Sequence, residues 1–194
     1  PTVSNCVFTG NSAANTTGGI YNFWCSPAPT LVNSILWNNS PGEQIFNNNT
    51  TPTVSHCLIQ NGYAGGTNII TDDPLFVDSG NPAGADGVWM TEDDGLRLLH
   101  GSPAIDAGDN ATVPAGVTTD ILGNARVQNG TVDLGPYEEQ VHVVTFQTDG
   151  TPGATVNGAA VVTQTVFHGE DCTGVLAEAP RGYDFVGWTG DYVG

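Results

Sequence analysis

Carboxylates are the only abundant side chains in this sequence able to do chemistry, and they crowd into Asn81 to Asp94 (NPAGADGVWMTEDD). There Asp86, Glu92, Asp93 and Asp94 share a loop broken by glycine. Hard oxygen donors on a backbone that Gly87 and Gly95 allow to reverse sharply suit Ca²⁺. The spacing lacks the alternating carboxylates and distant Glu of an EF-hand, so a solvated acidic loop is the competing reading. Asp106, Asp120, Asp133 and Glu138 border Gly or Pro turns, where a carboxylate accepts backbone N–H groups. Arg126 is one of three cations and is expected to pair with Asp120 or Glu138 and staple that region. Paired carboxylates could also serve as the acid and base of a glycosidase. In a chain this acidic, such pairs arise by chance. Lyase chemistry would need a basic residue to remove a proton and cations to neutralise a uronate. With no lysine and only Arg97, Arg126 and Arg181, these residues are not expected to form an enzyme site.

Cys6 and Cys57 lie two repeats apart, roughly 9.5 Å by strand stacking, beyond the approximately 7 Å that a disulfide spans. Small buried thiols are expected, with a Cys6–Cys25 link as the alternative. Cys172 stands alone near the C-terminus, and the spacings match no zinc motif. His56 reads as a corner residue rather than a catalytic one.

The charge balance narrows the partners. Twenty acidic residues face three basic ones, for a net charge of -17 in 194 residues. Such a surface repels nucleic acid and anionic lipid and attracts cations. No apolar run is long enough to cross a bilayer as a helix. Twenty-six glycines and 12 prolines, with recurrent Asn, Thr and Val, favour short strands and tight turns.

The elements that must position these residues show as a repeat. Thr2–Asn11 (TVSNCVFTGN), Thr30–Asn39 (TLVNSILWNN) and Thr53–Gly62 (TVSHCLIQNG) align without gaps, each after a proline (Pro1, Pro29, Pro52). The period suits coils of a parallel β-helix. Alternation points Val3, Cys6 and Phe8 inward, then Leu31, Ser34 and Leu36, then Val54, Cys57 and Ile59. Asn5, Asn33 and His56 fall at a corner, where side-chain amides can stack as a ladder. Trp37 aligns with polar Thr9 and Gln60, so it is expected to face outward or sit in a turn and is the candidate contact surface, with Trp24, Trp89 and Tyr63 as further aromatics.

Residues 1 to about 63 resemble the NCxFxxN repeats of bacterial parallel β-helix surface proteins. The ordered series DPLFVD (Asp73–Asp78), DGVWMTEDDGLRL (Asp86–Leu98), GSPAIDAGD (Gly101–Asp109), DILGNAR (Asp120–Arg126) and DLGPYE (Asp133–Glu138) resembles the C-terminal part of large exported bacterial proteins of the choice-of-anchor Q domain type. That resemblance implies export and surface attachment and brings no catalytic residues. The ending Gly182–Asp191 (GYDFVGWTGD) is similar to the signature of internalin B-type repeats, β-grasp-like modules of bacterial surface proteins. It implies a core role for Tyr183, Phe185 and Trp188, in a module that normally continues for another strand or two.

The expectation is therefore an all-β chain: the C-terminal end of a right-handed parallel β-helix with an irregular cap, followed by a small β-grasp-like module. Residues 1–139 hold the coils (1–63) and an acidic cap (64–139) closing the helix end. Residues 140–194 hold an incomplete internalin B-type module. The expected function is that of a non-catalytic, secreted or cell-surface structural or adhesion module, with Ca²⁺ at Asp86, Glu92, Asp93 and Asp94. The chain is expected to begin and end inside a larger protein. Its partners would be surface or matrix components such as polysaccharide, or further copies in a fibre. The alternatives are a fibre subunit assembled through β-edges and the non-catalytic end of a β-helix lyase or hydrolase.

Overall fold

The computed structural model describes residues 1–167 and 170–190 and is all-β. Among the described residues the one helical piece is a 3-10 turn at Asn110–Thr112. The chain divides into two compact units, Pro1–Glu139 and Gln140–Gly194.

In the first unit the repeats become parallel ladders. Strands β1 (Thr2–Ser4) and β2 (Val7–Thr9) both pair with β4 (Thr30–Trp37), which pairs with β6 (Thr53–Ile59), which pairs with β7 (Thr67–Ile70). A second parallel pair joins β3 (Ile20–Phe23) to β5 (Ile45–Asn48). The register matches the aligned repeats: Val3 lies on Leu31 and Leu31 on Val54, while Ser34 lies on Cys57 and Leu36 on Ile59. Like residues stack on like because each strand sits one ladder spacing from the next. Leu31, Leu36, Ile45, Val54, Cys57 and Ile59 form one buried cluster with Val3, Phe8 and Ile20 packed against it.

The alternation is reset at the corner. Asn5, Asn33, His56 and Asn68 all have φ between 48° and 54°, a left-handed conformation that Asn tolerates better than other residues carrying a Cβ. One such residue turns the strand so that Leu31 and Ser34, three apart, face the same side. The other side of β4 is covered too, and its burial on both faces explains a run of six buried residues from Leu31 to Leu36. The cover is the expected cap. Within segment 64–139, β7 continues the ladder past β6, and Leu98, Ala104 and Leu134 pack on Ile35 and Leu58 on the outer face of the sheet. The apolar outward residues Ile35 and Leu58 dictate this placement, since they would otherwise face water.

Asn33 fastens that cover. Its side chain accepts from Asp109 N at 2.8 Å and donates to Asp109 O at 3.1 Å and Thr112 Oγ1 at 3.0 Å. Along the expected corner ladder the His56 and Asn68 side chains meet at 2.6 Å, and amide pairs also stack elsewhere. Asn11 donates to Asn39 Oδ1 at 2.9 Å, and Asn22 donates to Asn47 Oδ1 at 2.8 Å. Replacing Asn33 by Ala removes three hydrogen bonds and leaves a Cβ residue at positive φ. A loss of about 2–4 kcal/mol is expected by urea denaturation. A loss below about 0.5 kcal/mol would show that the 109–112 turn holds without it.

In the second unit β8 (Val141–Gln147) pairs antiparallel with β10 (Val161–Phe167), and β9 (Thr155–Val156) with β11 (Ala177–Glu178). Phe185 and Trp188 touch at 5.3 Å between ring centroids, and Trp188 meets Phe146 at 5.6 Å. The expected core role is corrected here. Tyr183, Phe185 and Trp188 are 61%, 51% and 48% exposed, because no described strand lies over them. Asp191, which ends the GYDFVGWTGD signature, lies outside the described residues.

Candidate functional site

The densest titratable cluster lies in the cover segment. Arg126 is buried, its Nη1 stands 3.2 Å from Glu138 Oε1, and its Nη2 donates to Gly135 O at 2.6 Å and Asp133 O at 3.3 Å. The staple forms, with Glu138 as the partner. Three buried carboxylates surround this one cation, and each also closes turns. Glu138 accepts from Asp133 N at 3.2 Å. Asp133 accepts from Asp106 N and Glu139 N, both at 2.7 Å. Asp120 Oδ1 accepts from Leu122 N at 2.9 Å and Asn124 N at 2.8 Å, while its Oδ2 accepts from Glu138 N at 3.1 Å.

One guanidinium cannot neutralise three buried carboxylates. Loss of hydration, and then the Asp133 charge, push the Glu138 carboxyl up to about 8, against the pull of Arg126. Burial likewise pushes Asp133 up to about 6, opposed chiefly by its two backbone hydrogen bonds. Arg126 is itself lowered by burial, while Glu138, Asp133 and Asp120 hold its proton on. Burial raises both carboxyls toward neutrality, as it does for general acids, while Arg126 favours their ionised forms. Here, however, the oxygens are directed at backbone N–H groups and the guanidinium.

The acidic loop has a similar character. Asp93 Oδ2 accepts from Ala85 N at 2.6 Å and Asp86 N at 3.1 Å, and Asp93 Oδ1 accepts from Thr91 Oγ1 at 2.8 Å. These bonds, the Thr91 hydroxyl foremost, hold its carboxyl below the usual carboxylate range. Asp86 Oδ1 accepts from Val88 N at 2.7 Å. Asp94 is fully buried, and its Oδ2 accepts from Tyr137 Oη at 2.7 Å and Met90 N at 2.8 Å. Its Oδ1 is buried without a hydrogen-bond partner. Glu92 stands 4.0 Å from Arg97. Among the described residues no three His, Cys, Asp or Glu side chains group as a metal-binding set. The four expected ligands thus share a loop, in which Asp86 Oδ1, Asp93 Oδ2 and Asp94 Oδ2 accept backbone N–H groups. Asp94 Oδ1 is the buried oxygen left for a cation.

Trp37 faces the outer side of β4, as its alignment implies, and packs half-buried against the Ile35–Leu58 cluster. The more exposed aromatics are Tyr21, Phe23 and Trp24, with Tyr21 stacked on Phe46 at 5.4 Å. All four cysteines are free thiols. Burial pushes the Cys57 thiol up to about 12, which keeps it protonated and unreactive.

Sequence reasoning missed the Asn33 clip, the Tyr137–Asp94 bond and the Asn39–Gln44 network, in which Asn39 Nδ2 donates to Gln44 Oε1 at 2.7 Å. The only signal in the sequence was the recurrence of Asn at aligned positions, which says that an amide is wanted and not what it binds. No protein-family model and no curated protein sequence matches the chain.

Proposed function

We propose that this chain is a non-catalytic structural or adhesion module of a large secreted or cell-surface bacterial protein, built on the C-terminal end of a right-handed parallel β-helix. The observation that carries the reading is the in-register parallel stacking of β1, β4 and β6, with like residues one above another and charged groups turned to backbone. Connections between parallel strands of one sheet are right-handed almost without exception. Stacked coils make a stiff rod, and a rod that holds its carboxylates in turns serves as a spacer or display surface. The likeness to exported β-helix proteins in residues 1–63 and 73–138 supports the extracellular setting.

The test is to incubate the full chain with neutral and acidic polysaccharides, following new reducing ends and viscosity, alongside a pull-down on the same insoluble glycans. Retention without cleavage is the result expected of an adhesion module. Cleavage would sink the reading in favour of an enzyme end. A fibre role has its own support, since β1, β2 and β3 each pair on one side only. Concentration-dependent mass growth in light scattering is its expected signature.

Stabilisation by Ca²⁺ belongs to the same proposal and rests on Asp94 Oδ1, with the exposed carboxylates of Asp86 and Glu92 in the same loop. Calcium at about 100 times its dissociation constant should add about 2.7 kcal/mol and raise Tm relative to chelator. Asp86→Asn should shrink that difference. Equal melting in calcium and in chelator would remove the ion from the account.

A further inference from the structure

The second unit contains a groove of about 310 Å³ bordered by the β9–β11 pair and the 183–189 segment. Tyr183, Phe185 and Trp188 line it, together with the carboxylate residues Asp149, Glu178 and Asp184. Among the described residues no Arg, Lys or His lines it. We infer that this groove binds an organic cation, a quaternary ammonium head group being the best fit to its chemistry.

The aromatic geometry is the first argument. Phe185 and Trp188 stand at 65° with centroids 5.3 Å apart, and Phe146 braces Trp188 at 71°. Rings set nearly at right angles present differently directed π faces around one corner. Each face is the negative part of a quadrupole, attracting a cation centred within about 6 Å. The three lining rings are 48–61% exposed, which leaves ring surface for a ligand.

The rim supplies the second argument. Glu178 Oε2 accepts from Thr155 Oγ1 at 2.8 Å, which fixes its carboxylate beside β9. Asp149 Oδ1 accepts from Thr151 N at 2.8 Å, and its bonds to Thr151 favour the ionised form. Three acids line the groove, with Arg181 between its lining residues Pro180 and Tyr183, and the net charge of -17 concentrates cations around the molecule. A quaternary ammonium sheds water cheaply and lacks donors that would need matched acceptors, so it suits aromatic walls with a charged rim. This binding role stands apart from the structural role proposed above.

The experiment titrates the isotope-labelled full chain with choline and, in parallel, with 3,3-dimethylbutan-1-ol, its uncharged isostere, while following the Trp188 indole N–H resonance. Trp188→Phe identifies that resonance. Choline should shift it saturably, and the isostere should bind at least about tenfold more weakly. Asp184→Asn, at the exposed rim, should weaken choline severalfold and leave the β8 and β10 amide resonances in place. In Trp188→Ala, choline should no longer shift the amide resonances of the lining residues Thr155 and Glu178, while the β8 and β10 resonances report that the unit remains folded. Equal affinity for the isostere would overturn the inference and mark a plain apolar docking groove. Tighter binding of a neutral probe such as cellohexaose would overturn it in favour of a sugar site, and an unmoved Trp188 signal would overturn it outright.

Discussion

Replacing Arg126 by Met should destabilise the first unit by about 3–5 kcal/mol, the cost of leaving buried charge without its partner. The guanidinium is held among Glu138, Asp133 and Asp120, and it also donates to Gly135 O and Asp133 O. Removing it exposes several costs together. Two carbonyls lose a charged donor, and the carboxylates must take up protons or draw in water. Urea denaturation followed by tryptophan fluorescence reads the effect, since Trp24, Trp37 and Trp89 all lie in that unit. The double variant Arg126→Met/Glu138→Gln should be less destabilised than the two single changes summed, because neutralising Glu138 removes the charge that Arg126 no longer meets. A loss for Arg126→Met of about 0.5 kcal/mol, typical of surface changes, would show that the cluster is not a structural clamp.

Stability should fall as pH rises between about 4.5 and about 8, the window set by the ordinary and folded values of Glu138. A carboxyl raised by folding binds its proton more tightly in the native state than in the unfolded one. Below 4.5 both states are protonated and the native advantage is complete. Above that value the unfolded chain ionises first, and the advantage is lost progressively as pH passes through the folded value near 8. Asp133 adds a contribution of the same sign between 3.8 and about 6. The combined effect is of the order of a few kcal/mol. Asp93 acts in the opposite direction, since its lowered value costs stability only as pH falls through the acid range below 3.8. The two effects therefore separate on the pH axis. Thermal melts at constant ionic strength should show Tm dropping from pH 5 to pH 8 in the native chain, with a clearly flatter profile in Glu138→Gln. An unchanged slope in the variant would assign the pH dependence to the general repulsion of an acidic surface.

Much of the first unit was legible because stacking is a local rule applied repeatedly. The alignment of TVSNC, TLVNS and TVSHC already contains the register Val3–Leu31–Val54 and Ser34–Cys57, since parallel ladders carry residues onto their equivalents. The Arg126 staple could be narrowed to two partners because a rare cation in an acidic segment must find a carboxylate. What covers the sheet could not be read. Ile35 and Leu58 signal that β4 and β6 are buried on both faces, but a self-contained alignment does not say which distant segment lies there. That contact joins Leu134 to Ile35 across most of the unit.

The candidate sites divide in the same way. The sequence by itself determined that carboxylates would dominate the chemistry, that Asp and Asn would sit at turns, and that cations were the ligands to expect, because composition and turn preference depend only on residue type and near neighbours. Only the tertiary structure decided which oxygens remain available. Asp93 is taken by Ala85 and Asp86 backbone, Asp94 keeps one buried oxygen unpartnered, and the Glu138 carboxyl is raised by burial among like charges. Burial and hydrogen-bond geometry are properties of what surrounds a side chain after folding. In the loop that looked richest in ligands, backbone N–H groups take up three carboxylate oxygens, while the aromatic signature expected to form a core lies open beside three carboxylates.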